Sequence, residues 1–326
     1  MAEPLILKPL VLAVLGPTAS GKSSLGIALA QRFGGEIINC DSTAVYRGFD
    51  IGTDKVAAAD RAGIAHHLID VADPTDVYTA ARFASDACHA IRDVHARGRV
   101  PILVGGTGLY YRALVRGLFP GPAADEALRA RLSRVAQRRG DARLHRMLRG
   151  VDPTAAERIA PPDRKKVVRA LEVYLTTGKP LTAQFEQTAS PIADCHVHAV
   201  GLALPAEITG ARVATRVEAQ FERGIVAEVR ELLAHGVPRG ARPFGGLVYR
   251  QVMELLDGVR GEAETRALIV TANRQYARRQ LIWFRKEPNL RWFDGPGEAP
   301  AVAGQVIEAC ASVVEETNAR LRGYRG

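Results

Sequence analysis

Long hydrophobic runs are missing from this chain. No apolar stretch in its 326 residues approaches the roughly 18 that a membrane span needs, so a globular, non-membrane protein is expected. Cysteine is scarce. Cys40, Cys88, Cys195 and Cys310 are far apart and form no C-x-x-C pair, which argues against a disulfide framework and against a cysteine zinc site. Cys195-His196-Val197-His198 would put two histidines on one face of a strand, too few for a metal site. The apolar start, MAEPLILKPLVLAVLG, has one Lys ahead of it and no A-x-A cleavage site. It reads as a buried first strand rather than a signal peptide, and the cytoplasm is the expected compartment. Internal repeats and low-complexity tails are absent as well.

Lysine is the rare cation. Only 7 of the 44 Lys+Arg are Lys. Arginine suits bidentate phosphate contacts and base stacking, although GC-rich coding produces the same bias. The net charge of +9 is unevenly placed. Residues 1–110 hold 10 cations and 11 anions, residues 111–200 hold 16 and 9, and residues 201–326 hold 18 and 15. An excess concentrated in the middle third fits a polyanionic partner.

The order of elements predicts a parallel sheet. Leu10–Leu15, Glu36–Cys40 and Val100–Val104 read as buried strands. Helical spacing between them covers Ser24–Phe33 and Tyr78–Arg97. After the Gly/Pro-rich break Leu118–Ala124, the patterns are helical as far as Thr177. Cys195–Leu204 reads as a strand returning to the first sheet. Helices follow at Arg212–Glu222, Val226–His235, Thr265–Lys286 and Gln305–Leu321, with a short strand at Arg291–Phe293. The expectation is an α/β P-loop NTPase-like core, 1–119 with 196–326, and a mainly helical insertion at 120–195.

Gly16-Pro17-Thr18-Ala19-Ser20-Gly21-Lys22-Ser23 fits G-x-x-x-x-G-K-[ST] between a strand and a helix. Glycines let the backbone wrap phosphate oxygens, and the helix N-terminus aims N–H groups at the anion. Lys22 adds a charge, and the Ser23 hydroxyl can hold Mg²⁺. No convincing Walker-B strand accompanies the motif, so a di- or triphosphate is implied but ATP is not. Two further strand ends share its sheet edge. One carries Asp41-Ser42-Thr43, the other Gly105-Gly106-Thr107-Gly108. Each alone is an ordinary turn, but ligands bind along that edge.

At these residues the chain resembles the tRNA dimethylallyltransferase family. The matching segments are GPTASGKSSL, DSTAVYRGFDIGTDK, HHLIDVADPTDVYTAARF, PILVGGTGLYYRAL, DRKKVVRALEVYLTTGKPL, the Arg212/Arg216 helix with GIVAEVRELLAHG, VYRQ and RRQLIWFR. The resemblance implies that the phosphate loop holds dimethylallyl diphosphate with Mg²⁺. Adenosine N6, in a tRNA anticodon stem-loop, attacks the allylic carbon. Asp41 then matches the general base, Thr107 a hydrogen bond to the diphosphate, and Arg216 a charge on the leaving group. The implied tRNA contacts are Asp41, Ser42, Thr43 and Ala44; Lys165, Lys166, Val167, Val168 and Arg169; Tyr249, Arg250 and Gln251; and Arg278, Arg279 and Gln280. On the long helix, Arg274, Arg278 and Arg285 share a face opposite Tyr276 and Trp283.

The chain departs from the family at Ala44, often Gln, and at Val248, usually Gly. It departs also at Ile282, usually Thr, and at Lys166, which stands three residues after Asp163 where the family's Asp-x-x-Arg has Arg. A β-branched residue at 248 disfavours φ > 0 there. A C-terminal zinc finger of the eukaryotic type is not expected. A monomer is expected. Alternatives left open are a prenyltransferase acting on free adenine nucleotides or another RNA, a P-loop kinase, and a non-catalytic RNA-binding module.

Overall fold

The computed structural model describes residues 8–119, 121–185 and 188–323. Residues 1–7 of the apolar start and Pro120 in the Leu118–Ala124 break lie outside them. The chain forms two compact units, one of residues 1–115 and 192–326 and one of residues 116–191. The insertion therefore starts and ends four residues before the bounds read from the sequence.

The first unit opens with β1 (Leu10–Leu15), α1 (Lys22–Phe33), β2 (Gly35–Cys40), β3 (His66–His67), α2 (Ala80–Ala96), β4 (Val100–Gly105) and α3 (Gly108–Val115). The second unit holds α4 (Glu126–Arg139), α5 (Asp141–Val151), α6 (Pro153–Arg158), α7 (Arg164–Thr177) and α8 (Leu181–Phe185). The chain then returns through β5 (His196–Ala203), α9 (Ala206–Glu222), α10 (Ile225–Ala234), α11 (Tyr249–Leu256), α12 (Glu262–Phe284), β6 (Leu290–Asp294) and α13 (Pro300–Gly323). The six strands pair in the order β3-β2-β4-β1-β5-β6, every pair parallel. Among the described residues no helix is long and apolar enough to cross a membrane.

All of β1, LVLAVL, is buried because helices cover both faces of the sheet. The period of two sorts its side chains. Val11, Ala13 and Leu15 join Ile38 and Leu103 in a core shared with α2, α3 and α10–α12. Leu10, Leu12 and Val14 join Ile37, Ile102 and Val104 in a core shared with α1 and α13. The parallel arrangement brings the carboxyl ends of β1, β2 and β4 to one edge, since Leu15 and Cys40 both register with Gly105. α1 stops at Gly34, whose φ of 65° is open to glycine and whose N–H bonds the Ala30 carbonyl.

β3, α3, α8 and α11 are not legible in the sequence pattern. β3 is two residues long, too short to carry a period. His196 and His198 do share a face of β5, with His196 exposed. Among the described residues no group of three potential ligands assembles anywhere.

The helical unit has its own core of Leu132, Ala136, Leu144, Leu148, Val167, Val168, Leu171 and Val173. One carboxylate sits inside it. Glu172 is 0% exposed, and it accepts from Asp125 N at 2.7 Å, Arg129 Nε at 3.0 Å and Arg169 Nη1 at 2.7 Å. Burial pushes its carboxyl up, but the hydrogen bonds from Arg129, Arg169 and Asp125 outweigh burial and hold it below its ordinary value. A depressed carboxyl stabilises the fold above its unfolded pKa, and that contribution fades as pH falls through the folded value. Replacing Glu172 with Ala leaves two guanidinium groups without their partner. Glu172→Ala is expected to destabilise this unit by about 3 kcal/mol at neutral pH and by progressively less in acid, as urea unfolding at a series of pH values would measure.

Candidate active site

The loop Gly16–Ser23 joins β1 to α1 at the carboxyl edge of the sheet. Gly16 takes φ 150° and Gly21 φ 83°. A Cβ on Gly16 would stand 2.9 Å from the Leu202 carbonyl oxygen, so the backbone packs too closely for any larger residue. Thr18, Ala19, Ser20, Gly21, Lys22 and Ser23 line a cavity of about 730 Å³, and Asp41, Ala44, Gly105, Gly106, Arg216 and Tyr276 line the same cavity.

Five cations line this space: Lys22, Lys55, Arg212, Arg216 and Arg223, with Lys55 paired to Asp50 and Asp70. Lys22 Nζ folds back to donate to the Pro17 carbonyl at 2.5 Å. Burial, and then the charge of Arg216, push its ammonium down to about 7, with Asp41 pulling the other way. Arg216 donates from Nη1 to Thr18 Oγ1 at 3.0 Å and pairs with Asp54 at 3.0 Å. Arg223 meets the other Asp54 oxygen at 3.3 Å. Arg212 Nε donates to the Ala19 carbonyl at 2.6 Å.

Asp41 follows β2, and among the described residues the hydrogen bonds of its carboxylate run through Oδ1. That oxygen accepts from Thr43 N at 2.8 Å, Thr43 Oγ1 at 2.7 Å and Ala44 N at 3.3 Å. A carboxylate fixed through one oxygen keeps the other available for a proton. The negative charge of Asp41 also raises Tyr276, whose hydroxyl burial and Asp41 together push up to about 12. Thr107 is not part of the lining. Its Oγ1 accepts from Ser42 N at 3.1 Å and bonds Tyr276, so it ties the β2 and β4 loops together behind the cavity.

With this geometry in place, the comparisons are decisive. Residues 44–287 match the sequence model of the IPP transferases. The chain belongs to that family. It is 45% identical over 300 residues to a tRNA dimethylallyltransferase of Koribacter versatilis, covering 92% of this chain and 97% of the relative. It is 46% identical over 295 residues to one from Xanthomonas campestris pv. campestris, covering 88% and 90%. The solved full-length tRNA isopentenylpyrophosphate transferase of Bacillus halodurans superposes with a TM-score of 0.71 at 34% identity, over 97% of this chain and 99% of that one. A eukaryotic dimethylallyltransferase acting on tRNA gives a TM-score of 0.73 at 28% identity, over 88% and 74%.

The residues expected on the RNA side divide by burial. Lys165, Lys166, Arg250, Arg278 and Arg279 are exposed. Lys166 pairs with Asp163, and Arg169 pairs with Glu172 at 2.7 Å. Val167, Val168, Tyr249 and Gln251 are buried, which corrects their assignment as RNA contacts. The reason is geometric, since consecutive helical residues point to different sides. Tyr249 is a core residue, donating to Glu228 Oε1 at 2.6 Å and accepting from Gly52 N at 3.1 Å. Just before it, Val248 stands at φ 72°, ψ −61°, against the expectation for a β-branched residue. The fixed Tyr249 and the buried Val248 side chain over-determine this strained turn.

Gln280 is also turned inward and buried. Its Oε1 accepts from Thr18 N at 2.8 Å and its Nε2 donates to the Gly106 carbonyl at 2.8 Å. One side chain thus clamps the phosphate loop to the β4 loop. Asp54, Arg212, Arg223, Tyr276 and Glu298 join the lining without having been singled out for a role. Arg212 had a signal, lying one turn before Arg216, whereas Glu298 had none.

On its other face α12 carries Arg274, Arg278 and Arg285. They line a second cavity of about 520 Å³ with Pro17, Leu204, Pro205 and Leu281. Leucine at 280 removes both ends of the clamp and strands a buried N–H and carbonyl. Gln280→Leu is expected to lower stability by about 2 kcal/mol, read from the urea midpoint.

Proposed function

We propose that this chain transfers a dimethylallyl group from dimethylallyl diphosphate to N6 of the adenosine 3′ of the anticodon in tRNA, releasing diphosphate. The observation that carries this reading is that Asp41 and the phosphate loop line one cavity. The names of its relatives, tRNA dimethylallyltransferases, supply the substrate pair.

The residues divide the work by chemistry. The backbone N–H groups of Ala19–Ser23, at the start of α1, hold the diphosphate. Lys22, Arg216 and, beside them, Arg212 meet the charge that grows on it. The N6 lone pair is conjugated with the adenine ring, so attack on the allylic C1 needs a group that removes the proton as the N–C bond forms. Asp41 takes that proton, and the C1–O electron pair leaves with pyrophosphate. Thr107 acts through Ser42 and Tyr276, fixing the walls that face the base. Tyr276 lies where an adenine extruded from its stack would pass.

Mg²⁺ fits this site as a companion of the diphosphate. Ser23 offers one hydroxyl on the lining, and among the described residues no cluster of three His, Cys, Asp or Glu competes for the ion. Phosphate oxygens and water complete such a shell. When bound, the ion neutralises charge on the leaving group. Each unit by itself offers exposed cations to the tRNA. Arg278 and its neighbours Arg274 and Arg285 have no ion-pair partner among the described residues, and Lys165 and Lys166 stand exposed on α7. The chain works as a monomer in the cytoplasm.

Asp41→Asn keeps the turn to Thr43 and Ala44 but cannot accept a proton. Turnover is expected to fall by about a hundred- to ten-thousandfold with tRNA affinity unchanged, measured with labelled dimethylallyl diphosphate and by filter binding. Unchanged turnover removes the general base. Lys22 gives a pH signature. Its ammonium, near 7 in the free protein, rises when it pairs with diphosphate. Binding is therefore tightest below pH 7 and weakens as pH rises above it. At pH 8, calorimetry in two buffers should show uptake of about one proton, and Lys22→Ala should abolish it.

A further inference from the structure

The turn between β6 and α13 lies across the phosphate loop. Gly295 N donates to the Ala203 carbonyl at 2.8 Å, and Gly297 N donates to the Ser20 carbonyl at 2.9 Å. These two anchors bring Glu298 onto the start of α1. A Cβ built on Gly21 would stand 1.9 Å from Glu298 Oε2, so the carboxylate touches the residue that opens the helix. Its other oxygen pairs with Arg212 Nη2 at 2.5 Å. Arg212 in turn holds the Ala19 carbonyl. Glu298 lines the cavity and lies beyond residue 287, where the family match ends.

A carboxylate is stabilised at a helix N-terminus when no other anion is present. With a diphosphate in the cradle, the same carboxylate becomes a like charge competing for Arg212. The competition is greatest after the reaction. Pyrophosphate carries a phosphate oxygen that the donor had esterified, so the cradle holds the product more strongly than the substrate. We propose that Glu298 is an internal competitor of the product. It reclaims Arg212 and the edge of the cradle, so that pyrophosphate is held less tightly than the phosphate loop alone would hold it. The proposal rests on the reading of Gly16–Ser23 as the diphosphate site.

Glu298→Gln preserves the shape and can still bond Arg212, but removes the charge. Inorganic pyrophosphate is expected to bind this variant about tenfold more tightly than wild type by calorimetry and to inhibit turnover at correspondingly lower concentration. KM for tRNA should not move. Glu298→Ala should tighten pyrophosphate in the same direction. If wild type binds pyrophosphate and neither variant binds it more tightly, the inference fails alone, and Glu298 is a splint for Arg212. If wild type does not bind pyrophosphate, the diphosphate reading of the loop fails, and this inference fails with it.

Discussion

Lys22, Arg212, Arg216 and Arg223 are four of the five cations that line one cavity at the carboxyl edge of the sheet, the fifth, Lys55, being paired with Asp50 and Asp70. Like charges at close range repel, and burial strengthens the repulsion. The fold answers with carboxylates drawn from three separate segments. Asp54 pairs with Arg216 and Arg223, Glu298 pairs with Arg212, and the charge of Asp41 is felt at Lys22. Lys22 has no carboxylate partner among the described residues, and burial, then the charge of Arg216, pushes its ammonium down. The cradle's cations are thus balanced by carboxylates that reach it from outside the phosphate loop.

That charge balance needs a rigid frame. The phosphate loop cannot choose its own position, because it lacks regular backbone pairing between Gly16 and Ser20. Gln280 holds one end of it through Thr18 N, Gly297 another through Ser20 O, and Arg212 a third through Ala19 O. All three holders come from the region after the helical insertion. The return of the chain through β5 thus does more than complete the sheet. It delivers α9, α12 and the β6–α13 turn to the loop laid down by the first 23 residues. Arg212 and Arg216 sit one helical turn apart on α9, so both reach the loop from one side.

The parts of this site that were legible in the sequence are those whose residue types have few other uses. Gly16–Ser23 could be read because glycine spacing, Lys and a hydroxyl serve the backbone geometry of an anion nest. Asp41 could be placed because it follows a strand of a parallel sheet, whereas Thr107, which follows another, stands outside the lining. Burial of a polar side chain was not legible. Gln280 falls in a run of charged residues, and only its position beneath Thr18 and Gly106 shows that it faces inward. The same holds for Tyr249 and Gln251, which follow a Val whose positive φ no local pattern announces. Glu298 lies between Gly/Pro-rich turn residues and a helix, where a carboxylate looks like any N-terminal helix charge.

α12 then has a particular place in the design. Tyr276 and Gln280 face the reactive cavity, while Arg274, Arg278 and Arg285 face the second cavity on the far side of the helix. Pro17 of the phosphate loop reaches that second cavity too. A helix that is polar on both sides has no apolar stripe, and its buried positions, Thr265, Ile269, Ala277, Gln280 and Phe284, mix polar with apolar residues. Such a helix is held by specific bonds rather than by burial of a face. If RNA phosphates engage the arginines, any shift of α12 is transmitted through Gln280 to Thr18 N and so to the backbone of the phosphate loop. Acceptor binding and donor binding would then be coupled through a single side chain, with reciprocal effects on the two affinities.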